Sequence, residues 1–375
     1  MKSFSLLLIV FCLANGCGNP PEEIKSKAIN VDRNLNLEVL FTIYNQIWTP
    51  FLDEGVSEEM LAKTRLMKMN YEHFQAHSEH EAVSIVANFL NRSGTDFFLY
   101  AFYYNDFPNA TRKTEIPELL TNDINSDREL AIQEIDSIMS MIADFYRVSE
   151  FEEFYRVNQS VYETAIEEVE NHLPKNEFIP FMENYFGIEH EGYDFYVIPF
   201  FKTEFGMAHE LERSKGPRNI TFISPFETAQ LDDVGQVQYV GYESEEYILE
   251  WVVHEYAHTF FNPPLTTAEN LNELDNYKHL YQTIPDNPQI GNWFSMFAEH
   301  LAVAFEVRAA ELMGENDRAN KILKRHSDWP YLDHFIDQLK LYERNRDTFE
   351  SIAEFMSTLI RSCDSLETNN TPNTK

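Results

Sequence analysis

The chain has 375 residues, of which 43% are hydrophobic and 14% aromatic, enough apolar material for a large core and too much for global disorder. Its 62 acidic residues against 29 Lys and Arg give a formal net charge of −33. A surface this acidic repels phosphate backbones and anionic lipid headgroups, so nucleic-acid partners are excluded and any membrane association needs another device.

The first residues supply one. Lys2 precedes an apolar run from Phe4 to Leu13, too short to span a bilayer, which ends in Leu13-Ala14-Asn15-Gly16-Cys17. A small residue followed by Cys after such a run resembles a bacterial lipoprotein box. Residues 1–16 then read as a signal peptide, Cys17 as the lipidated first residue, and 17–35 as a polar tether. The protein is expected to be exported and lipid-anchored to the cell envelope, with ordinary secretion as the alternative. Once Cys17 is processed, Cys363 is the one thiol left of three, so neither an internal disulfide nor a Cys-rich metal site can form.

Residues 36–190 are expected to be helical throughout. Apolar residues recur at helical spacing in Leu40, Ile43, Tyr44, Ile47 and Trp48. Ser126-Asp127-Arg128-Glu129 has the form of a capping box, and Pro174 is expected to close a long helix over 149–172. His77 and His80, three apart, read as a surface helix start rather than a ligand pair. After Gly187 the pattern changes. Phe195–Phe200, Ile220–Ile223 and Val237–Val240 read as short strands. Ser244 opens a helix that Asn262-Pro263-Pro264 is expected to stop. Further helices are expected at 267–283, 292–313, 316–326 and 331–361, followed by a disordered tail over 364–375. The expected fold is α+β and mostly helical, with the catalytic region over 191–363.

The helix after Ser244 carries His254-Glu255-Tyr256-Ala257-His258. Residues four apart on a helix differ by about 40° and rise about 6 Å, so both imidazoles face one way and can share one small cation, for which zinc has the matching preference. Glu255, turned about 100° away, reaches a water held on that metal and can take its proton as it attacks a carbonyl. The helix is apolar nearly all round, and burying two His and a Glu without partners costs several kcal/mol in rough terms, a cost a metal removes. A third ligand has to come from elsewhere, because Phe261 and Pro264 occupy the positions where the extended motif would place Gly and His. Glu299, 41 residues after His258 on another apolar helix, is the favoured carboxylate. Glu306, one heptad further, and Asp275 are the alternatives; Glu306 also fits a contact to a ligand rather than to the metal.

These residues resemble the gluzincin branch of the zincin metallopeptidases. Asn262-Pro263, the Glu299…Arg308 helix, Tyr342-Glu343-Arg344 and His80-Glu81-Ala82-Val83 are similar to an uncharacterised family of exported bacterial zincin-like proteins, over most of 31–361. The resemblance implies a small twisted sheet packed on the motif helix, with helical parts before and after it. It implies a zinc metallopeptidase with a peptide or protein substrate; an inactive surface-binding zincin fold and a hydrolase of non-peptide amides are the alternatives. Val303 departs from the better-known gluzincins, where an acidic residue often stands four after the third ligand. Tyr239, Tyr242 and Tyr342 are each candidates for stabilising an oxyanion, a role Tyr or His plays in related peptidases. Val237–Tyr242 is the expected sheet edge for an extended substrate. His209 and His300 have no partner at metal spacing, and Asn91, Asn109, Asn158 and Asn219 begin glycosylation-like triplets.

Overall fold

The computed structural model describes residues 27–47, 63–122, 124–213, 216–233, 235–284, 287 and 290–369. The signal peptide, Cys17 and the first part of the tether lie outside the described residues, as does the tail beyond 369. Among the described residues, no helix is long and apolar enough to cross a membrane.

The second half of the expected tether is structured. Ile29–Asp32 forms β1, which pairs in parallel with β2 (Gly192–Val197), placing Ile29 opposite Tyr193 and Val31 opposite Phe195. Alternation explains it: Val31 turns into the core while its neighbours face outward. Helix α1 (Leu35–Ile47) follows at once, then α2 (Arg65–Phe74) and α3 (Glu81–Ser93). His80 caps α3, its Nδ1 accepting the Ala82 N–H at 3.1 Å. After a 3-10 stretch over Gly94–Phe102 come α4 (Leu119–Asn122) and α5 (Arg128–Val148). The cap of α5 is Asp127 rather than Ser126, its Oδ1 accepting from the N–H groups of Glu129 and Leu130.

The single helix expected over 149–172 is two, α6 (Phe151–Val157) and α7 (Gln159–Glu170). Glu150 adopts a left-handed conformation at φ 53°, and Asn158 turns both its backbone N–H and its side-chain amide onto the Phe154 carbonyl, closing α6 early. Helix α8 (Phe178–Phe186) completes the first half.

The main sheet has the order β1-β2-β4-β3, with β3 at Gly206–Leu211 and β4 at Arg218–Ile223. β1, β2 and β4 are parallel, and β3 is antiparallel on the far edge. The strand expected at 195–200 starts at Gly192 and ends at Val197. The segment expected to be a sheet edge, Val237–Tyr242, is not in this sheet. Val237–Tyr239 forms β6, paired with β5 (Gln230–Leu231) in a separate two-stranded ribbon. The N–H groups of Val240, Gly241 and Tyr242 all point at the buried Glu168 carboxylate, at 2.7, 3.0 and 2.8 Å. Gly241 makes this possible, since its φ of 119° favours glycine and a Cβ there would lie 2.3 Å from the Glu227 carbonyl oxygen. With those three donors occupied, residues 240–242 have no free backbone N–H to offer a substrate chain.

The motif helix α9 (Glu245–Leu265) opens at Ser244, whose Oγ accepts the Tyr247 N–H, and runs through Pro263 and Pro264 instead of stopping before them. Both prolines fall in its last turn. The proline ring already holds a helical φ, and the Thr266 N–H and hydroxyl still close on the Asn262 carbonyl, each at 2.8 Å.

Then come α10 (Ala268–Asp275), α11 (Trp293–Leu312), α12 (Asn316–Arg325), α13 (Leu332–Arg344), α14 (Ile352–Arg361) and α15 (Asp364–Asn369). The helix expected over 331–361 breaks because Asn345 bonds back to Leu341 and Ser351 caps a new start. The tail is ordered to 369: Asp364 accepts from the Tyr277 hydroxyl, and Leu366 is buried. Cys363 is a buried free thiol.

The fold class is α+β and mostly helical, as expected. One continuous core runs from Val31 to Leu366. Phe186 of α8 stacks on Phe260 of α9 with ring centroids 4.4 Å apart, tying the helical first half to the motif helix.

Candidate metal centre

Helix α9 packs under the β3–β4 side of the sheet. Asn219 of β4 is fully buried and donates to Thr259 Oγ1 at 2.6 Å, fixing the helix against the strand. That burial removes Asn219 as a glycan acceptor. β3 approaches α9 closely because position 206 has no side chain: a Cβ there would lie 2.5 Å from the Trp251 ring and 3.2 Å from Glu255 Oε1. The N–H of Ala208 donates to the Glu255 carboxylate. Glu255 is thus held between helix and edge strand.

The structure brings His254, His258 and Glu299 together, their candidate ligand atoms all within 4.8 Å of one another. His254 Nε2 and His258 Nε2 are 3.2 Å apart. Glu299, from α11, lies 3.3 Å from His254 Nε2 through one oxygen and 3.6 Å from His258 Nε2 through the other. Ligands about 2.05 Å from one tetrahedral ion stand about 3.3 Å from each other, so two imidazole nitrogens and a carboxylate gathered at this spacing are donors that could hold such an ion.

Glu306 does not join the cluster. Its buried Oε1 sits 2.6 Å from His254 Nδ1, the nitrogen turned away from the other two donors. It fixes the ring and leaves Nε2 free to ligate. Asp275 is excluded as a ligand, being exposed and paired with Lys278 at 2.9 Å. His258 Nδ1 and Asn262 Oδ1, one turn apart, are both buried without a partner of standard hydrogen-bond geometry; Asn262 is still close enough to favour the protonated ring.

Burial works against charge on His254, but the hydrogen bonds and charges of Glu299 and Glu306 outweigh it and hold its pKa well above 6.5. Burial raises the pKa of Glu306 above the ordinary carboxylate value, with the His254 hydrogen bond and charge opposing. The 2.6 Å contact favours an ionised carboxylate against a protonated ring. Burial lowers His258 to about 4. Glu299 resists its own burial, and the two imidazoles bring it down to about 2. Burial raises Glu255 to about 7, with His254 opposing and Glu299 reinforcing. A carboxylate near 7 exchanges a proton readily at neutral pH, which is what a general base requires.

The three tyrosines do not face this cluster. Tyr242 donates to the Ile223 carbonyl, Tyr342 to the Tyr185 carbonyl and Tyr239 to Glu227. His209 bonds the Tyr103 hydroxyl at 2.7 Å, and buried His300 bonds the Met296 carbonyl. His326, a residue the motif gave no reason to select, is half-buried at the end of α12 and interacts electrostatically with both His254 and Glu299.

The model of a domain of unknown function (DUF4932) matches residues 55–362, and the chain belongs to that family. No curated protein and no solved structure matches it.

Proposed function

We propose that this protein is a zinc metallopeptidase with a zincin-like fold, its metal held by His254, His258 and Glu299 and its general base Glu255. The carrying observation is the convergence of His254 Nε2 and His258 Nε2, 3.2 Å apart, on the Glu299 carboxylate, one oxygen of which lies 3.3 Å from the first and the other 3.6 Å from the second, with a buried carboxylate beside them. Zinc in that triangle would supply Lewis acidity toward a substrate carbonyl and acidify a water molecule. The chain's own residues do the rest. Glu306 keeps His254 in the ligating tautomer, the Ala208 N–H orients Glu255, and Glu255 takes a proton and returns it to the leaving amine.

A peptide is the favoured substrate because β3 ends the sheet order. Phe205 turns its carbonyl inward to the Ser224 N–H, so with a period of two the Gly206 backbone and the Ala208 carbonyl face outward, while the Ala208 N–H is taken by Glu255. An extended chain can add there, next to Glu255. The proposal includes export and lipid anchoring through Cys17; Cys17→Ala should release the protein from membranes.

Metal analysis of the purified protein, with digestion of a peptide library, tests the central reading. One zinc per chain is expected. Glu255→Gln should keep the metal and lose about a hundredfold or more in turnover. A metal-free protein, or near-normal turnover in the variant, would overturn it.

A further inference from the structure

Asp and Glu outnumber Lys and Arg by 62 to 29, and one cavity in the helical first half reverses that balance. It holds about 460 Å³, and Arg112, Lys113 and Arg128 line it with a single carboxylate, Glu115.

The backbone explains the gathering. Residues 103–113 fold back on themselves: Tyr104 bridges Arg112, the Asn105 N–H donates to the Thr111 carbonyl, and the Lys113 N–H donates to the Tyr103 carbonyl. The chain then runs along α5 in the opposite direction. Arg128, at the first position of that helix, donates to the Ile116 carbonyl at 2.9 Å, while Arg112 meets Asp136, two turns further along, at 3.6 Å. Arg128, Ile132 and Asp136 are four apart and share one face of α5. Ile132 and buried Ile116 thus give the cavity an apolar floor. Arg128 and Arg112 stand toward its two ends, about 12 Å of helix apart.

These cations are poorly neutralised. Arg112 shares Asp136 with the Tyr104 hydroxyl. Glu115 is 95% exposed and reaches Arg128 only at 3.8 Å. Among the described residues Lys113 enters no ion pair, nor does Arg213, which follows β3 and acts on the Lys113 charge. Crowding by the surrounding chain lowers the Lys113 pKa from its ordinary value, with Asp106 opposing and Arg213 reinforcing. The first N–H groups of α5 are bonded to Asp127, so side chains rather than the helix end present the positive charge. Holding like charges together costs the fold stability, and a bound anion removes that cost. Charges beyond a Debye length of about 8 Å are largely screened, so the nearest groups decide affinity despite the acidic whole.

We propose that this cavity binds an elongated phosphate-bearing ligand, one phosphate toward Arg128, a second toward Arg112 and Lys113, and its carbon skeleton on Ile116 and Ile132. The arginine forks match phosphate oxygens, and Lys113 adds a point charge. A cavity of this size suits a small organic ligand better than a bare phosphate ion. A soluble sugar phosphate and a phosphate-bearing lipid headgroup offer the same chemistry. The inference stands apart from the metal and peptidase reading. Isothermal titration of the purified chain with fructose bisphosphate, against fructose as the uncharged control, tests it. Binding of the bisphosphate alone is expected. Lys113→Gln removes no side-chain bond or ion pair among the described residues and should weaken binding about tenfold, as should Arg112→Gln. Lys175→Gln with Lys324→Gln removes two exposed cations elsewhere and should change it about twofold at most. Flotation of the Cys17→Ala chain with phosphatidylglycerol against phosphatidylcholine vesicles distinguishes the sources. A preference for phosphatidylglycerol that Lys113→Gln abolishes assigns the lipid headgroup; binding of the bisphosphate without that preference assigns a soluble phosphate. Equal binding of fructose, binding that Lys113→Gln and Arg112→Gln both leave unchanged, or no binding in either arm would overturn the site.

Discussion

Glu306 lies outside the proposed donor set and still bears on it through His254. The helix bearing Glu299 has Val303 where the gluzincins it resembles often carry an acidic residue, and Glu306, three residues on, contacts His254 Nδ1 at 2.6 Å. Glu306→Gln should weaken zinc binding about 10–100-fold by isothermal titration while the histidines remain in place. An unchanged affinity would show that His254 is oriented by packing alone. The proton budget of the empty site carries a second expectation. His254 has a raised pKa, so it is protonated at neutral pH without metal, and zinc must displace that proton. Zinc affinity should therefore rise with pH until the folded pKa of His254 is passed, by up to about tenfold per unit. Titration in buffers of different ionisation enthalpy measures the released proton directly, and binding with no proton release would contradict it.

At the level of the element, the edge strand and the motif helix are fitted through one missing side chain. Gly206→Val would force a Cβ against the Trp251 ring, a contact neither neighbour can easily relieve. A loss of about 1–3 kcal/mol is expected in urea unfolding, together with lower turnover because Glu255 loses its position against Ala208. Full activity with normal stability would mean that β3 and α9 are not in contact. This contact was also the least legible part of the sequence. The His pair, its helix and the Ser244 cap could be read from spacing alone, because a helix fixes the relation of residues four apart. Glu299 could be anticipated as a buried carboxylate on an apolar helix. β3 could not: Gly-Met-Ala-His-Glu-Leu has no β-branched residue, and it is a strand because β4 and α9 need small residues there. Val237–Tyr242 looked like the edge because its alternation is visible, whereas the Glu168 carboxylate that occupies its donors lies 72 residues earlier. The helix breaks at Glu150, Asn158 and Asn345 depend on local bonds that the apolar period does not record.

Across the whole molecule, the buried carboxylate of Glu38 adds its own dependence of stability on pH. Glu38 is 2% exposed; the Tyr162 hydroxyl donates to one oxygen at 2.9 Å, and the other oxygen has no partner. Burial raises its pKa to about 8, against the opposing Tyr162 bond and Arg33 charge. The folded protein keeps this proton where the unfolded chain has already released it. The contribution to stability is therefore fully present below about pH 4.5 and is lost as pH rises toward 8, by on the order of 4 kcal/mol at most. Glu38→Gln should flatten the fall in unfolding free energy between pH 5 and 8, and a slope equal to wild type would show that Glu38 is ionised throughout. The placement of β1 has a different consequence, for the order in which the chain can fold. Asn30 contacts Asp194 across 164 residues, and all the helices of the first half form the connection between two neighbouring parallel strands. Closing so long a loop is slow and gains nothing until β2 exists. A nascent chain can thus build its early helices, but the sheet waits for Gly192 and the His254–His258 cluster for Glu299. The centre should be among the last features to appear during synthesis, on a scaffold whose opening strand has waited longest for its partner.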